Sequence, residues 1–306
     1  MNVFHSPSEV QSDGRKVCLA IGFFDGVHLG HQQILRQTMA DARQHGGLPL
    51  VLTFDKHPNV VVAPDKAPPL IYSLPQKLRT IQTLGVDHIL LIPFDRKFSE
   101  QTGEQFISGL AHSLGKIHSI CVGANFVFGH KRSGNVALLK KLGAELDFQV
   151  HGLSAVSLDG QAVSSTRIRK AIAAGNLDGA GQMLGRPYAL SGKVVIGDKI
   201  GRKLGFPTAN LDASGLILPP HGVYAAITKH NGKLYRVALN IGVRPTLAAG
   251  NQLRVEAYLL DFEGDLYGAE LEIEIGEKLR DERKFSSPDE LRNQIAQDVV
   301  AVKNHR

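Results

Sequence analysis

The sequence predicts two unlike α/β halves: a parallel sheet covered by helices, then a small antiparallel β-barrel with one terminal helix. Three observations carry this. The chain has 306 residues, more than the ~250–300 at which single cores stop growing. Up to about residue 185, strand-like apolar runs alternate with helical periods, the pattern of a parallel sheet with both faces covered. Beyond that point strand follows strand, with turn signals between them and a single helical stretch near the end.

Residues 16–23 form a continuous apolar run and read as a buried strand. Residues 31–45 are helical, with Ile34, Leu35, Thr38, Met39 and Ala42 on one face. Strands follow at 48–54, 88–92, 116–122 and 147–151, and helices at 75–84, 102–114 and 136–142. Gly85 and Gly115 close two of these helices, and Thr102 with Gln105 makes a capping box. In the second half, strands are expected at 188–196, 222–228, 233–241, 253–261 and 270–275. His230-Asn231-Gly232-Lys233 carries the Asn-Gly hairpin signal, and 261–265 reads as another tight turn. The last helix spans 288–302, with Ser287 at its N-cap and Glu290 three residues on. The boundary is expected near 184–187, giving domains 1–185 and 186–306.

Apolar residues make up 43% of the chain and charged residues 21%, an ordinary globular balance. No stretch approaches the ~20 apolar residues of a membrane span, and the polar segment 1–15 has no signal-peptide core, so no membrane association is expected. Cys18 and Cys121 each sit inside an apolar run and read as buried free thiols, which fits a reducing cytoplasm. The formal net charge of +6 is scattered, with no basic stripe interleaved with aromatics. It suits phosphorylated ligands better than nucleic acid. No obligate protein partner is evident in the sequence, and oligomeric state is not legible there.

The first constellation is GFFDGVHLGH at residues 22–31, between the first strand and the first helix. Gly22, Phe23, Asp25 and Gly30 belong to a turn whose glycines let backbone N–H groups approach an anion at a helix N-terminus. His28 and His31, three apart, share one face of the first helical turn and can donate to phosphate oxygens. Metal ligation and a purely structural role are the competing readings. Farther on, Ser164, Ser165 and Thr166 offer hydroxyls and a helix cap, while Arg167 and Arg169 are fixed cations suited to phosphate. An ordinary capped helix is the alternative. Asn125 is either a polar contact to ligand or metal, or a loop-shaping residue.

The second constellation, GDKIGRKLGFPTAN at 197–210, lacks the Lys-Ser/Thr of a Walker loop. Its glycines Gly197 and Gly201 permit a mobile loop over phosphates, Arg202 and Lys203 add charge, and Thr208 and Asn210 supply hard oxygens that suit Mg²⁺. A Gly-rich barrel loop is the bland alternative. Glu256 is a carboxylate within an apolar strand, either a general base or an outward-facing strand residue.

Several segments resemble the bifunctional riboflavin kinase/FAD synthetase family. GFFDGVHLGH resembles the signature of HxGH nucleotidyltransferases in its FAD synthetase version, GANFVFGHKRSGN (123–135) resembles NFxFGxxRxGN, and SSTRIR (164–169) resembles SSTxIR. TFDKHP (53–58) resembles TFxPHP, with Lys56 where proline is usual. In the second half, GRKLGFPTAN resembles the riboflavin kinase flap and PTAN motif. PPHGVY, NIGVRPT, VEAYLLDF and LRDERKF continue the pattern, with Tyr258 where histidine is common. The resemblance runs from about residue 16 to 298, in the family's order. It implies a Rossmann-like nucleotidyltransferase domain and a barrel kinase domain that use Mg²⁺ and ATP to convert riboflavin to FMN and FMN to FAD. It further implies catalytic roles for Glu256, His28, His31 and Arg169, flavin contacts at Asn125, Pro58 and Arg280, and a metal site at Thr208 and Asn210. A single-activity enzyme and a non-catalytic flavin sensor are the rival functions.

Overall fold

In a computed structural model of the protein, residues 1–198, 200–246 and 250–305 are described. The side chains of residues 244–252 lie outside that description, as does Lys199 of the second constellation. The chain forms two compact units: residues 1–70 with 74–165, and residues 166–306 with the short segment Ile71–Ser73.

In the first unit, β1 (Asn2–Phe4) and β2 (Val17–Ile21) precede α1 (Leu29–His45), β3 (Leu48–Phe54), α2 (Asn59–Val62) and α3 (Leu74–Thr83). Then come β4 (His88–Ile92), α4 (Arg96–Ser99), α5 (Gly103–Leu114), β5 (Ile117–Gly123), the short β6 (Val127–Phe128) and β7 (Gly134–Asn135), α6 (Val136–Leu146) and β8 (Gln149–Leu153). Six of these strands make one sheet in the order β1-β4-β3-β2-β5-β8. Every neighbouring pair in it is parallel. Its central strands are buried on both faces, as crossover connections require. The capping box at Thr102 and Gln105 forms with both of its hydrogen bonds. On α1 the buried face holds Ile34, Leu35, Thr38 and Ala42, together with Gln32 and Asp41. Asp41 survives there because it is fully partnered. Ser119 Oγ donates to it at 2.7 Å, Gln37 Nε2 at 2.7 Å, and His151 Nε2 lies 3.1 Å away.

The antiparallel pair β9 (Ser157–Leu158) and β10 (Gln161–Ala162) leads to α7 (Ser165–Ala173) and α8 (Leu177–Leu184). The second unit continues through β11 (Ala189–Val195), α9 (Ile200–Lys203), β12 (Ala209–Leu211), β13 (Gly222–His230), β14 (Lys233–Thr246), β15 (Gly250–Leu259), β16 (Glu270–Arg280) and α10 (Pro288–Asn304). Six strands close a barrel in the order β11-β12-β15-β14-β13-β16. Asn231 (φ 50°) and Gly232 (φ 82°) turn the β13–β14 hairpin, with His230 paired to Lys233 as the Asn-Gly signal predicts. Residues 261–265 lie in the connection from β15 to β16. Their turn, read from the sequence as tight, does not join neighbouring strands: β15 and β16 are separated in the barrel by β14 and β13. Ser287 caps α10 by accepting from Glu290 N–H, while the Glu290 carboxylate turns to Ser286.

Cys18 and Cys121 are buried free thiols, as expected. Burial pushes the Cys121 thiol up to about 12.

Candidate active sites

Strands β2, β3 and β5 all deliver their chains to the carboxyl edge of the parallel sheet, where ligands of open α/β sheets bind. The segment after β2 is tightly fixed. Gly22 N–H bonds to Leu52 O at 3.2 Å, Phe24 is left-handed (φ 55°), and residues 24–28 are buried. Val27, a β-branched residue, holds φ 42°, a conformation it keeps only under external constraint. Gln32 supplies part of that constraint by donating to Val27 O at 3.1 Å.

His28 is the N-cap of α1, and its Nδ1 accepts from His31 N–H at 3.4 Å. In the neutral ring this leaves the proton on Nε2. The His28 and His31 rings stack at 3.6 Å, and His31 meets the edge of Phe24. Gly30 is needed for this packing: a Cβ there would stand 3.2 Å from the His28 ring. Ser165 Oγ donates to Asp25 O at 3.1 Å, so the serine element is anchored directly to the signature loop. Thr166 and Arg169 ride on α7, and from Thr166 onward the chain groups with the second unit.

The sequence reading missed the residue beneath this loop. Lys77, 3% exposed, donates to Phe54 O at 2.8 Å, Thr53 Oγ1 at 3.1 Å and Phe23 O at 3.2 Å. Its ammonium also lies 4.4 Å from the centre of the Phe23 ring. Burial lowers its pKa to about 8, with Asp25 and Asp55 pulling the other way. The signal was a lysine at helical spacing from Leu74 and Ile81, on a face that otherwise turns inward.

Next to the loop opens a cavity of about 620 Å³ walled by Phe23, Phe54, Phe98, Phe126 and Phe128, with Pro58 at its rim. Phe126 and Phe128 stack at 5.1 Å, and Phe54 packs against Phe94 and Phe98. Such walls suit a flat aromatic ligand. Arg96, Lys131 and Arg132 add positive charge to the lining. Asn125 is exposed on the turn between β5 and β6, beside this cavity. Lys56, where proline is usual, lies 3.6 Å from Asp55, whose other oxygen accepts from Phe94 N–H.

In the barrel unit, strand register assembles the second site. Glu256 on β15 stands directly across from Asn210 on β12 and from Asn240 on β14. All three therefore share one face of the wall, opposite the buried Val255 and Ala257. The loop at 197–208 closes back on this row. A Cβ on Gly197 would stand 2.5 Å from Asn210 Cγ, so only glycine lets the loop lie against that amide. Thr208 Oγ1 borders Gly201 in the same way. Gly197 and Gly201 thus pack on the predicted metal ligands, while Lys203 is exposed at the end of α9.

Arg254, two residues before Glu256 on the same face, pairs with Asp198 of the loop at 2.5 Å and with Glu256 at 3.5 Å. The period-two spacing was visible in the sequence and was not used. Tyr258 sets its ring edge-on to Phe206 at 5.6 Å, a packing role at the base of the loop. Arg280 makes a two-pronged ion pair with Asp298 of α10, both bonds 2.8 Å, and donates to Asp281 O.

Two family models divide the chain: FAD synthetase matches residues 10–167 and riboflavin kinase matches residues 184–305. The bifunctional riboflavin kinase/FMN adenylyltransferase of Escherichia coli K12 is 39% identical over 301 residues, covering 98% of this chain and 95% of that protein. The chain belongs to the bifunctional riboflavin kinase/FMN adenylyltransferase family. The Haemophilus influenzae member is 37% identical over 93% of this chain and 92% of its own, and the Pseudomonas fluorescens member 38% over 94% and 92%. A solved structure from Streptococcus pneumoniae, described as a macrolide-efflux protein, superposes with a TM-score of 0.82 at 28% identity, covering 100% of this chain and 99% of that one. Its name speaks of that protein. In the present family member, no helix among the described residues is long and apolar enough to cross a membrane.

Proposed function

We propose that the barrel unit phosphorylates riboflavin with ATP, giving FMN and ADP, and that the parallel-sheet unit joins FMN to the adenylyl group of a second ATP, giving FAD and pyrophosphate. The functional division falls at 185/186. The observation that carries the reading is the coexistence in one chain of two separate phosphate cradles: the His28/His31 helix start beside an aromatic cavity, and Glu256 between two asparagines under a glycine loop.

In the barrel, Glu256 takes the proton of the riboflavin 5′-hydroxyl as that oxygen attacks the γ-phosphorus, and ADP departs. Thr208 and Asn210 fit a Mg²⁺ ion: both offer hard oxygens against Gly201 and Gly197 of the loop. No group of three or more His, Cys, Asp or Glu suited to a metal occurs among the described residues. When bound, the ion spreads the negative charge of the transferring phosphoryl group.

In the sheet unit, the FMN phosphate is already ionised at neutral pH, so no side-chain base is needed. One of its oxygens attacks the α-phosphorus of ATP and pyrophosphate leaves. His28 and His31 donate to the charge that develops, and the family resemblance assigns Arg169, Ser165 and Thr166 to the nucleotide phosphates. The phenylalanine walls receive the isoalloxazine ring, with Pro58 and Asn125 at the edge. Arg280 contributes to flavin binding in the barrel by shaping the segment that leads into α10, since its own donors are committed to Asp298 and Asp281. The buried free thiols support a reducing, cytoplasmic setting.

Incubation with riboflavin and Mg-ATP, with products separated over time, tests the reading. FMN should appear first and FAD after it. FMN alone would leave a monofunctional kinase, and no turnover would leave a flavin-binding protein.

A further inference from the structure

We propose that Lys77 is a positioning residue for adenylyl transfer: its ammonium fixes the signature loop from below and places a positive charge behind the phosphate cradle. This rests on the adenylyltransferase reading of the first unit.

The geometry singles Lys77 out. A lysine ammonium has three donors, and Lys77 places them on three acceptors from two strand ends: Phe23 O after β2, and Thr53 Oγ1 and Phe54 O at the end of β3. Those two ends begin the two functional loops, one carrying His28 and His31, the other carrying Pro58 at the aromatic cavity. Thr53 Oγ1 also donates to Phe23 O at 3.0 Å, so the lysine, the threonine and the loop carbonyl form one closed cluster. Because a trans peptide is planar, holding Phe23 C=O toward Lys77 aims the N–H of Phe24 the opposite way. Phe24 in turn carries His31 on its ring edge, which links the lysine to the histidine pair.

A neutral donor could serve the same three acceptors without burying a cation. A charge kept there serves a site that handles polyphosphate. Its pKa near 8 places the loss of that charge within reach of experiment. The charged and titratable groups facing it are Asp25 from the signature loop and Asp55 after β3, with His57 edge-on to the intervening Phe23 ring.

The test compares FMN adenylylation with riboflavin phosphorylation in the full chain, for the wild type and Lys77→Met, from pH 6.5 to 9.5. Wild-type kcat/KM for adenylylation should fall above about pH 8 as the ammonium deprotonates, while the kinase reaction, which uses the same nucleotide, shows no such limb. Lys77→Met should lose roughly 100-fold in kcat for adenylylation, lose the basic limb, and keep kinase activity within twofold. A Met variant that retains adenylylation, or a wild type whose adenylylation is flat from pH 7 to 9.5, would overturn the proposal. If the Met variant does not fold, Lys77→Arg decides in its place: it keeps the charge at all these pH values, so it should retain adenylylation and lose the basic limb, and a limb that persists would overturn the proposal. A wild type that makes no FAD from FMN would instead defeat the adenylyltransferase reading itself.

Discussion

The loop at 22–28 and the loop at 197–205, both proposed as phosphate cradles, are held in place by different means. In the first, residues 24–28 are buried, backbone carbonyls are pinned by Lys77 and Gln32, and the histidine rings stack on each other. The second is exposed along much of its length and is held to the barrel by the Asp198–Arg254 ion pair and by contact with Asn210. The first is a preorganised pocket whose geometry is part of the core. The second is a cover tied down by charge. Changes at the first should therefore act on rate, and changes at the second on nucleotide affinity.

The largest expected effect tests whether charge holds the barrel together as well as its cover. Asp298→Ala removes both bonds that Arg280 makes across the contact between β16 and α10, leaving its bond to Asp281 O in place. Unfolding of the second unit should cost roughly 3 kcal/mol less, as when one partner of a buried pair is removed. A chemical-denaturation curve followed with the kinase assay checks this, and adenylylation at 25 °C should persist. Next comes Gly30→Ala, whose methyl group presses on the His28 ring. If the first cradle is rigid, adenylylation should fall roughly tenfold, because the His28 ring must give by a few tenths of an ångström and a full ångström of misplacement costs about 10²-fold, with the KM for ATP little changed. A loss of only twofold would mean that the loop yields, and the contrast with the flap would dissolve. The smallest effect is expected for Arg254→Gln. Untying the cover should raise the kinase KM for ATP about three- to tenfold, with the direction reproduced in the wild type by 0.5 M salt and with adenylylation far less affected.

Much of this was legible from residue order alone. The strands 16–23 and 48–54, the capping box at Thr102, the Asn231-Gly232 hairpin and the Ser287 cap follow from local chemistry, and local chemistry is what a sequence displays. Strand β12 was hidden because it is short and two of its three residues, Ala209 and Asn210, fall inside a motif read as a phosphate loop. The turn at 261–265 leaves strand order open, because tight turns look alike whether or not the strands they join are neighbours, and barrel order is a non-local property. The site shows the same division. His28, His31, Thr208, Asn210 and Glu256 announce themselves by residue type and spacing. Lys77 and Arg254 act through partners 23 to 56 positions away, and the phenylalanine cavity gathers residues spread from 23 to 128. Only the folded chain brings these together. The sequence did carry a trace of each, in a lysine on an apolar helix face and an arginine two residues from the candidate base.

The central claim is that one chain holds two independent reaction centres. The measurement that bears on it most directly is a crossed assay of Glu256→Gln and of the double variant His28→Ala/His31→Ala, each supplied separately with riboflavin and with FMN. The first variant should make no FMN yet convert FMN to FAD at the wild-type rate, and the second should make FMN normally yet lose at least 10²-fold in FAD formation. Loss of both reactions in either folded variant would contradict the account.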